Sequence, residues 1–294
     1  MTRIAVVGLG NMGGPMAANL VAAGHDVTGY DTIEAARQKA TTAGVAVAGS
    51  GPEAVAAAEV VITMLPAGEH VLGAYDELLT AAPDTALFVD CSTIDVASSR
   101  TAHGKAAASG RASVDAPVSG GVVGAEGGTL TFMAGGETDA VAAAEPVLAV
   151  LGKRTVHCGG PGNGQVAKMC NNMVLGVSMI AVSEAFVLGE RLGLAPQALY
   201  DVASTSSGQC WALTTNCPVP GPVPTSPSNR EFAGGFSTPL MLKDLRLADA
   251  AADEEGVSTL LAHAATDRYA AFFDRDGRVR DFSSIIDDIR ETSA

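Results

Sequence analysis

The sequence predicts an α/β fold in two parts, a doubly wound, mostly parallel sheet followed by an all-α domain that a long helix joins to it. Short apolar runs alternate with stretches of helical length in the first half of the chain, as in a parallel sheet with right-handed crossovers. After residue 161 the strand pattern stops and a long apolar stretch begins. We therefore expect two domains, residues 1–161 and residues 162–294.

The strands of the first domain are predicted from apolar runs of about five residues. These runs are Ile4–Gly8, Asp26–Asp31, Val60–Leu65, Leu87–Asp90, Ala112–Asp115, Leu130–Ala134 and Thr155–His157. Segments of helical length lie between them, among them Pro15–Ala23, Asp95–Ser109 and Thr138–Leu151.

The second domain is predicted to be helical throughout. A helix from Gly164 to Leu192 would be about 45 Å long at about 1.5 Å per residue. Further helices are expected near Pro196–Ser204, Leu240–Glu255 and Thr259–Phe273. The stretch from Cys217 to Pro227 is rich in proline, which excludes a helix or an inner strand and predicts a loop.

Composition excludes several classes of partner. The 294 residues carry a formal net charge of -14, which repels nucleic acid and anionic membrane surfaces. The start of the chain resembles neither a secretion signal nor a transit peptide, and the apolar stretch Met173–Leu188 reads as too short and too polar for a bilayer span. The five cysteines form no CxxC pair, so reduced thiols and a cytoplasmic location are expected. The five histidines show no metal-ligand spacing, and we expect no metal.

A glycine-rich turn directly follows the first predicted strand and opens the first predicted helix. It consists of Gly8, Leu9, Gly10, Asn11, Met12 and Gly13. In a GxGxxG turn the first glycine allows the tight turn, the second lets a pyrophosphate approach the backbone, and the third lets helix and strand pack closely. Phosphates would then lie at the positive end of the helix. The position predicts a Rossmann-type dinucleotide site, with a purely structural turn as the alternative.

An acidic residue decides which dinucleotide is expected. Asp31 ends the second predicted strand, 23 residues after Gly8, a spacing that suits a carboxylate accepting hydrogen bonds from ribose hydroxyls. A site for the 2′-phosphate of NADP would need Arg or Lys there, and Thr32 and Ile33 are neither. The sequence therefore predicts NAD as the cofactor.

Two further segments offer chemistry. Ser119, Gly120 and Gly121 follow a strand at the carboxyl edge of the sheet, where a hydroxyl and two backbone N–H groups can hold a carboxylate; a plain β-turn fits the pattern equally well. Lys168 and Asn172 are four residues apart in the long apolar helix and so share one face. Apolar neighbours and a cationic nicotinamide would lower the pKa of Lys168 and let it exchange a proton near neutral pH. The alternative is a lysine at the helix surface, and the Lys243–Asp244 pair also fits an ordinary surface position.

Taken together, these segments resemble the β-hydroxyacid dehydrogenase family over nearly the whole chain. The resemblance lies in Val6–Leu20, Asp90–Ile94, Pro117–Gly121, Gly128–Met133 and Gly164–Asn172, in the family's order and spacing. A carboxyl-terminal series is similar to the branch that acts on 3-hydroxyisobutyrate, namely Ser207–Trp211, Asn216–Gly221, Gly234–Phe236, Lys243–Leu245 and Asp281–Ser284. His70 and Cys91 depart from the family pattern, where Asn and Ser are usual.

The resemblance implies roles for individual residues. Lys168 would be catalytic with help from Asn172, and both would contact the substrate. Ser119, Gly120 and Gly121 would hold the carboxylate of a small anionic 3-hydroxy acid. Besides the glycine turn and Asp31, the residues lining the dinucleotide would be Leu65, Pro66, His70, Thr93 and, from the second domain, Lys243.

The implied reaction is NAD-dependent oxidation of 3-hydroxyisobutyrate to methylmalonate semialdehyde in valine breakdown. A related short-chain 3-hydroxyacid dehydrogenase, or a semialdehyde reductase using NADPH, is the first alternative. A dinucleotide-binding module without chemistry is the second. The long apolar helix and the Ala-rich second domain predict a homo-dimer or homo-tetramer.

Overall fold

A computed structural model describes residues 1–293, which form two compact units. The first unit is Met1–Lys168 and the second begins at Met169. Within the described residues every strand lies in the first unit, and the second unit is helical. The α/β fold predicted from the sequence is therefore confirmed.

A six-stranded parallel sheet forms the centre of the first unit. Its strands are β1 (Arg3–Val7), β2 (Asp26–Tyr30), β3 (Ala46–Val47), β4 (Val60–Thr63), β5 (Leu87–Asp90) and β6 (Ser113–Asp115). They are arranged in the order β3-β2-β1-β4-β5-β6. The chain order reverses between β1 and β4, and ligands bind at such a switch point, beyond the carboxyl ends of the strands.

Strand β1 shows why the sheet is covered on both faces. Its side chains alternate between two apolar clusters, with Ile4 and Val6 in one and Ala5 and Val7 in the other. Successive residues of a strand point to opposite faces. A strand buried on both sides must therefore be apolar at every position, and this is the signal that made it predictable.

The helices of the first unit alternate with these strands. They are α1 (Gly13–Ala22), α2 (Glu34–Thr42), α3 (Gly51–Val55), α4 (Gly68–Ala81), α5 (Val96–Ala108), α6 (Gly121–Glu126) and α7 (Thr138–Leu151). A second, three-stranded sheet follows β6 and consists of β7 (Val118–Ser119), β8 (Leu130–Ala134) and β9 (Gly152–His157). In it β7 pairs antiparallel with β8, and β8 pairs parallel with β9.

Helix α8 (Asn163–Arg191) starts in the first unit and continues into the second. The other helices of the second unit are α9 (Pro196–Ala203), α10 (Trp211–Thr214), α11 (Thr238–Glu254), α12 (Leu260–Asp276) and α13 (Ile285–Thr292), with 3-10 turns at Pro227–Arg230 and Phe282–Ser284. Two apolar clusters form its core, one around Tyr269 and Phe282 and one around Phe186 and Ile286. The proline-rich stretch after Asn216 is a loop, as predicted.

By length and composition alone, α8 is long and apolar enough to cross a membrane. The prediction that its apolar stretch is too short and too polar for a span is therefore wrong on those terms. Within its most apolar window of 18 residues, 44% is buried inside the structure. The core helix of a water-soluble protein meets the same criteria, so one such helix is weak evidence for a membrane.

Candidate active site

The glycine turn lies at the switch point of the large sheet, and its geometry depends on glycine. Gly8 has a φ of +97°, and its N–H donates to the carbonyl of Tyr30 over 2.8 Å. A Cβ on Gly13 would lie 1.9 Å from the carbonyl oxygen of Gly8, so no larger residue fits there. A Cβ on Gly10 would meet nothing within 4 Å. The turn is thus closed at Gly8 and Gly13 and open at Gly10, which fits a pyrophosphate approaching the backbone at that point.

The carboxylate of Asp31 is fixed beside this turn. Its Oδ2 accepts a hydrogen bond from the Leu9 N–H at 2.7 Å, and its Oδ1 accepts one from the Ile33 N–H at 2.8 Å. Both bonds hold an anion at the end of β2, which is the place where a ribose hydroxyl would donate to it.

One nearby cation escaped the sequence-based prediction. Arg37 of α2 donates to the carbonyl of Asp31 at 2.6 Å and also binds the carboxylate of Glu34. These bonds to Arg37 hold the pKa of Glu34 below its usual range. The guanidinium thus lies near Asp31 and is already paired with a carboxylate, which makes it a poor receptor for a 2′-phosphate.

The residues after β4 and β5 are tied together by a buried hydrogen-bond network. Asp90 Oδ1 accepts from the hydroxyls of Thr63 (2.7 Å) and Ser92 (2.6 Å), and Ser92 Oγ accepts from the Leu65 N–H (2.8 Å). Burial raises the pKa of Asp90 above its ordinary value, against the lowering effect of these hydrogen bonds. The network fixes Leu65 at the sheet edge where the dinucleotide is expected.

The other predicted cofactor contacts lie in the same region of the first unit. Pro66 directly follows Leu65, and Thr93 directly follows Ser92. His70 lies on the first turn of α4, is half exposed, and has its Nδ1 3.9 Å from Glu69 Oε1. Cys91 is fully buried, and burial raises the pKa of its thiol well above the usual value. Cys91 therefore packs within the sheet and offers no side-chain surface to a ligand.

Ser119 ends β7, and the two glycines after it have backbone conformations that favour glycine. The φ of Gly120 is +133° and that of Gly121, where α6 begins, is +60°. Ser119 and Gly121 are partly exposed and Gly120 is exposed, so the segment is open to a ligand. The structure thus has the end of a strand followed by a short helix.

Asp115 joins the end of β6 to the start of α8. Its buried carboxylate accepts from the Gly162 N–H at 2.8 Å and the Gln165 N–H at 3.0 Å. A carboxylate is the favoured partner of N–H groups at the start of a helix. The imidazole of His103 supports it, with Nε2 2.9 Å from Asp115 Oδ1 and Nδ1 2.7 Å from Ser113 Oγ.

Lys168 lies one turn beyond the residues that Asp115 holds. It is 7% exposed, which is rare for a lysine. Because the first turn of α8 is attached to the end of β6, and Ser119 follows β6 by four residues, the lysine and the glycine segment are anchored through the same aspartate. The structure thus places Lys168 in the first unit together with the glycine turn, Leu65, Thr93 and Ser119.

The remaining predicted site residues belong to the second unit. Asn172 is buried, and its Nδ2 donates to Asp244 Oδ2 of α11 over 2.5 Å. Lys243 precedes this aspartate and is half-buried. Asp244, which the sequence could equally place at the surface, is 5% exposed. A surface position is therefore wrong for Asp244, and its carboxylate orients the Asn172 amide.

Two buried residues with clear roles escaped the sequence-based predictions. Gln165 occupies one of the unspecified positions between Gly164 and Lys168, and Asp281 anchors the proline-rich loop by accepting from Asn216 Nδ2 at 2.9 Å and from the Phe236 N–H at 2.8 Å. Their partners are distant in the sequence, so no local pattern marked them. Residues 1–293 contain no group of three or more His, Cys, Asp or Glu placed to hold a metal ion.

Comparison with known proteins gives matches over both parts of the chain. Residues 3–160 match the family model described as the NAD binding domain of 6-phosphogluconate dehydrogenase. Residues 162–289 match the model described as the NAD-binding domain of NADP-dependent 3-hydroxyisobutyrate dehydrogenase.

Individual relatives cover almost the full length. A probable 3-hydroxyisobutyrate dehydrogenase of Mycobacterium tuberculosis is 53% identical over 290 residues, 99% of this chain and 98% of the relative. An NAD-dependent L-serine dehydrogenase of Pseudomonas aeruginosa is 43% identical over 288 residues, 97% of each chain. A solved structure of the Mycobacterium tuberculosis 3-hydroxyisobutyrate dehydrogenase with L-serine matches with a TM-score of 0.96, 53% identity and 99% coverage of both chains.

Proposed function

Because the chain belongs to the 3-hydroxyisobutyrate dehydrogenase family of nicotinamide dinucleotide-dependent oxidoreductases, we propose that it oxidises 3-hydroxyisobutyrate to methylmalonate semialdehyde with NAD⁺, as a step in valine breakdown. The observation that carries the proposal is the buried Lys168, anchored through Asp115 to the strand that leads into Ser119. A binding module without chemistry would not need a lysine buried at this point.

The residues of this chain have distinct tasks in the proposed reaction. The Ser119 hydroxyl and the N–H groups of Gly120 and Gly121 hold the substrate carboxylate. Lys168 accepts the proton of the primary alcohol, and its burial keeps bulk water away from that proton. Asn172, oriented by Asp244, assists by hydrogen bonding. When bound, NAD⁺ accepts the hydride from the alcohol carbon, so the products are the aldehyde, NADH and one proton.

The preference for NAD⁺ rests on charge at the end of β2. Asp31 presents a carboxylate held by two backbone N–H groups, and Glu34 adds a second carboxylate nearby. A 2′-phosphate would bring about two negative charges towards both. Arg37, the one cation bonded to these residues within residues 1–293, is paired with Glu34. The site therefore favours a ribose with free hydroxyls.

Lys168→Ala tests the catalytic assignment. General acid–base catalysis contributes roughly 10²- to 10⁴-fold, so kcat should fall within that range while NADH binding, followed by fluorescence titration, stays unchanged. Lys153→Ala, at an exposed position of β9, is the matched control. Turnover close to normal in the Lys168 variant would show that another group takes the proton.

A second candidate substrate is L-serine. It has the same primary alcohol and carboxylate, with an ammonium in place of the methyl group. The Pseudomonas aeruginosa relative is named for L-serine, and the similar solved structure contains it. We expect kcat/KM to be highest for 3-hydroxyisobutyrate in a panel with L-serine and 3-hydroxypropionate, each with NAD⁺ and NADP⁺. A higher value for L-serine would reverse the assignment, and no NADH from any member would favour the non-catalytic module.

The predicted division of tasks is kept in this proposal. Residues 1–161 would bind the dinucleotide, and residues 162–294 would contribute to substrate binding and to a homo-dimer or homo-tetramer in the cytoplasm. Oligomer formation is supported by large apolar side chains exposed on the second unit, namely Val174, Leu188, Leu192, Leu260 and Leu261. Light scattering would show two or four copies, and a monomer at micromolar concentration would contradict it.

A further inference from the structure

Gln165 is a buried polar residue to which the proposed mechanism assigns no task. It lies on the first turn of α8, three residues before Lys168, and is 1% exposed. Its side-chain Nε2 donates to the Ser92 carbonyl over 2.8 Å, and its Oε1 accepts from the Ile94 N–H at 3.1 Å. The two bonds therefore reach the residues on either side of Thr93.

The chemistry of these partners fixes the amide in one orientation. A backbone carbonyl can only accept and a backbone N–H can only donate, so the amide nitrogen must face Ser92 and the amide oxygen must face Ile94. A primary amide is the neutral side chain that offers a donor and an acceptor side by side. Gln165 thus imitates a neighbouring strand for a three-residue segment that has no strand beside it at this point.

The backbone of Gln165 is held as well. Its N–H donates to Asp115 Oδ2 at 3.0 Å, which fixes the first turn of α8 to the end of β6. One residue is therefore bonded through its main chain to β6 and through its side chain to the loop after β5. Lys168 follows one turn later on the same helix, so its position relative to Thr93 depends on these bonds.

We infer that Gln165 is a positioning residue for the reaction, holding the Thr93 segment and the lysine-bearing turn of α8 in a fixed relation. The inference rests on the proposed function for the roles of Thr93 and Lys168. It predicts that loss of the amide lowers kcat far more than it changes substrate KM, because Ser119, Gly120 and Gly121 make no contact with the Gln165 amide bonds.

Gln165→Met tests the role by removing both hydrogen bonds at similar volume. A shift of about 1 Å in reacting groups can reduce the rate about 10²-fold, so we expect kcat to fall 10- to 100-fold, with KM for the hydroxy acid within threefold. Gln38→Met, on the exposed side of α2, is the control. Hydrogen exchange of the ligand-free chain, followed by mass spectrometry, should be faster over residues 92–95 in the Gln165 variant and unchanged in the control.

Gln165→Glu separates positioning from simple packing. The protonated carboxyl can donate to Ser92 and accept from Ile94, whereas the ionised carboxylate can only accept. The ratio of the variant's kcat to that of the unaltered enzyme should therefore be near one at low pH and fall as pH rises through the pKa of the introduced carboxyl. A packing role predicts a ratio that does not change with pH while circular dichroism shows the variant folded.

The outcomes are distinguishable. If Gln165→Met keeps kcat within twofold while Lys168→Ala is inactive, or if the Gln165→Glu ratio is flat with pH, the inference is wrong and the proposed function stands. If Lys168→Ala itself turns over normally, the proposed function fails and the inference fails with it. Faster exchange over residues 92–95 together with a pH-dependent ratio supports it.

Discussion

The side-chain amide of Asn19 donates a hydrogen bond to the carbonyl oxygen of Ala125 over 2.7 Å. Asn19 lies on α1, which begins at the glycine turn, and Ala125 lies in the last turn of α6, which begins at Gly121. Carbonyls at the end of a helix have no partner within it, so Asn19 satisfies one of them. The helix expected to carry the dinucleotide thus supports the segment expected to hold the substrate carboxylate.

We expect Asn19→Ala to weaken substrate binding selectively. Loss of one hydrogen bond of about 1 kcal/mol corresponds to roughly a fivefold change, so KM for the hydroxy acid should rise about fivefold. The Kd for NADH should stay within twofold, because the glycine turn keeps its own contacts. Steady-state kinetics and fluorescence titration measure both, with Gln38→Ala as an exposed amide control. An unchanged KM would mean that α6 holds its position without Asn19.

Gly10→Ala and Gly13→Ala should separate cofactor binding from folding. The added methyl at residue 10 meets nothing within 4 Å, whereas at residue 13 it would overlap the Gly8 carbonyl. Gly10→Ala should therefore keep the unfolding midpoint within a degree or two and bind NADH at least tenfold more weakly. Gly13→Ala should lower the midpoint by several degrees. Calorimetry and titration test the pair, and equal destabilisation by both would contradict the geometry.

Exchange of the two acids at the end of β2 should move the cofactor preference towards NADP⁺. Asp31→Ser removes one carboxylate, and the further change Glu34→Gln releases Arg37 to meet a 2′-phosphate. We expect the ratio of kcat/KM with NADP⁺ to that with NAD⁺ to rise about tenfold for the single variant. The double variant should gain more than the product of the two single changes, because Arg37 serves only when both acids are gone. Strictly multiplicative effects would argue against a role for Arg37.

The buried carboxyl of Asp90 should make stability depend on pH. Burial raises its pKa in the folded protein above the value in the unfolded chain, so the folded state binds more protons between the two values. The free energy of unfolding should therefore fall as pH rises through that window, by at most about 1.4 kcal/mol per pH unit. Asp90→Asn keeps an oxygen for Thr63 and Ser92 and should remove this slope.

Urea unfolding of the Asp90 variant and the unaltered protein across pH 4 to 8, about the range where a raised carboxyl titrates, checks this expectation. The stability of Asp90→Asn relative to the unaltered protein should increase with pH and then level off. Asp139→Asn, at an exposed position of α7, should show no such trend. A relative stability that decreases with pH would mean that the hydrogen bonds to Asp90 outweigh its burial.

Much of the fold could be predicted because burial leaves a pattern in the sequence. Strands β5 and β8 and helix α7 have the predicted bounds, since their apolar residues recur at the spacing of the structure they form. Helix α2 has a single buried residue, Ala40, so it shows no apolar periodicity and was not predicted. Strand β7 consists of two residues, too few to show any period.

The candidate site divides in the same way. The glycine turn, Asp31 and Lys168 could be found because each has a local signal, a glycine spacing, an acid at a strand end or a charge in an apolar helix. The tasks of Gln165 and Asp115 depend on hydrogen bonds to residues about 50 to 70 positions away in the sequence. Only the folded backbone brings those partners together, so a local pattern contains no record of them.

The bonds of the Gln165 amide also bear on how such enzymes can be recombined. The loop at Gly159–Gly162 is the nearest place before α8 where two related chains could be spliced, and a splice there takes Gln165 from one parent and its partners from the other. Those partners are the main-chain groups of Ser92 and Ile94, which every parent supplies whatever its side chains. The clamp is therefore portable: a hybrid inherits it complete as long as the donor of α8 carries glutamine.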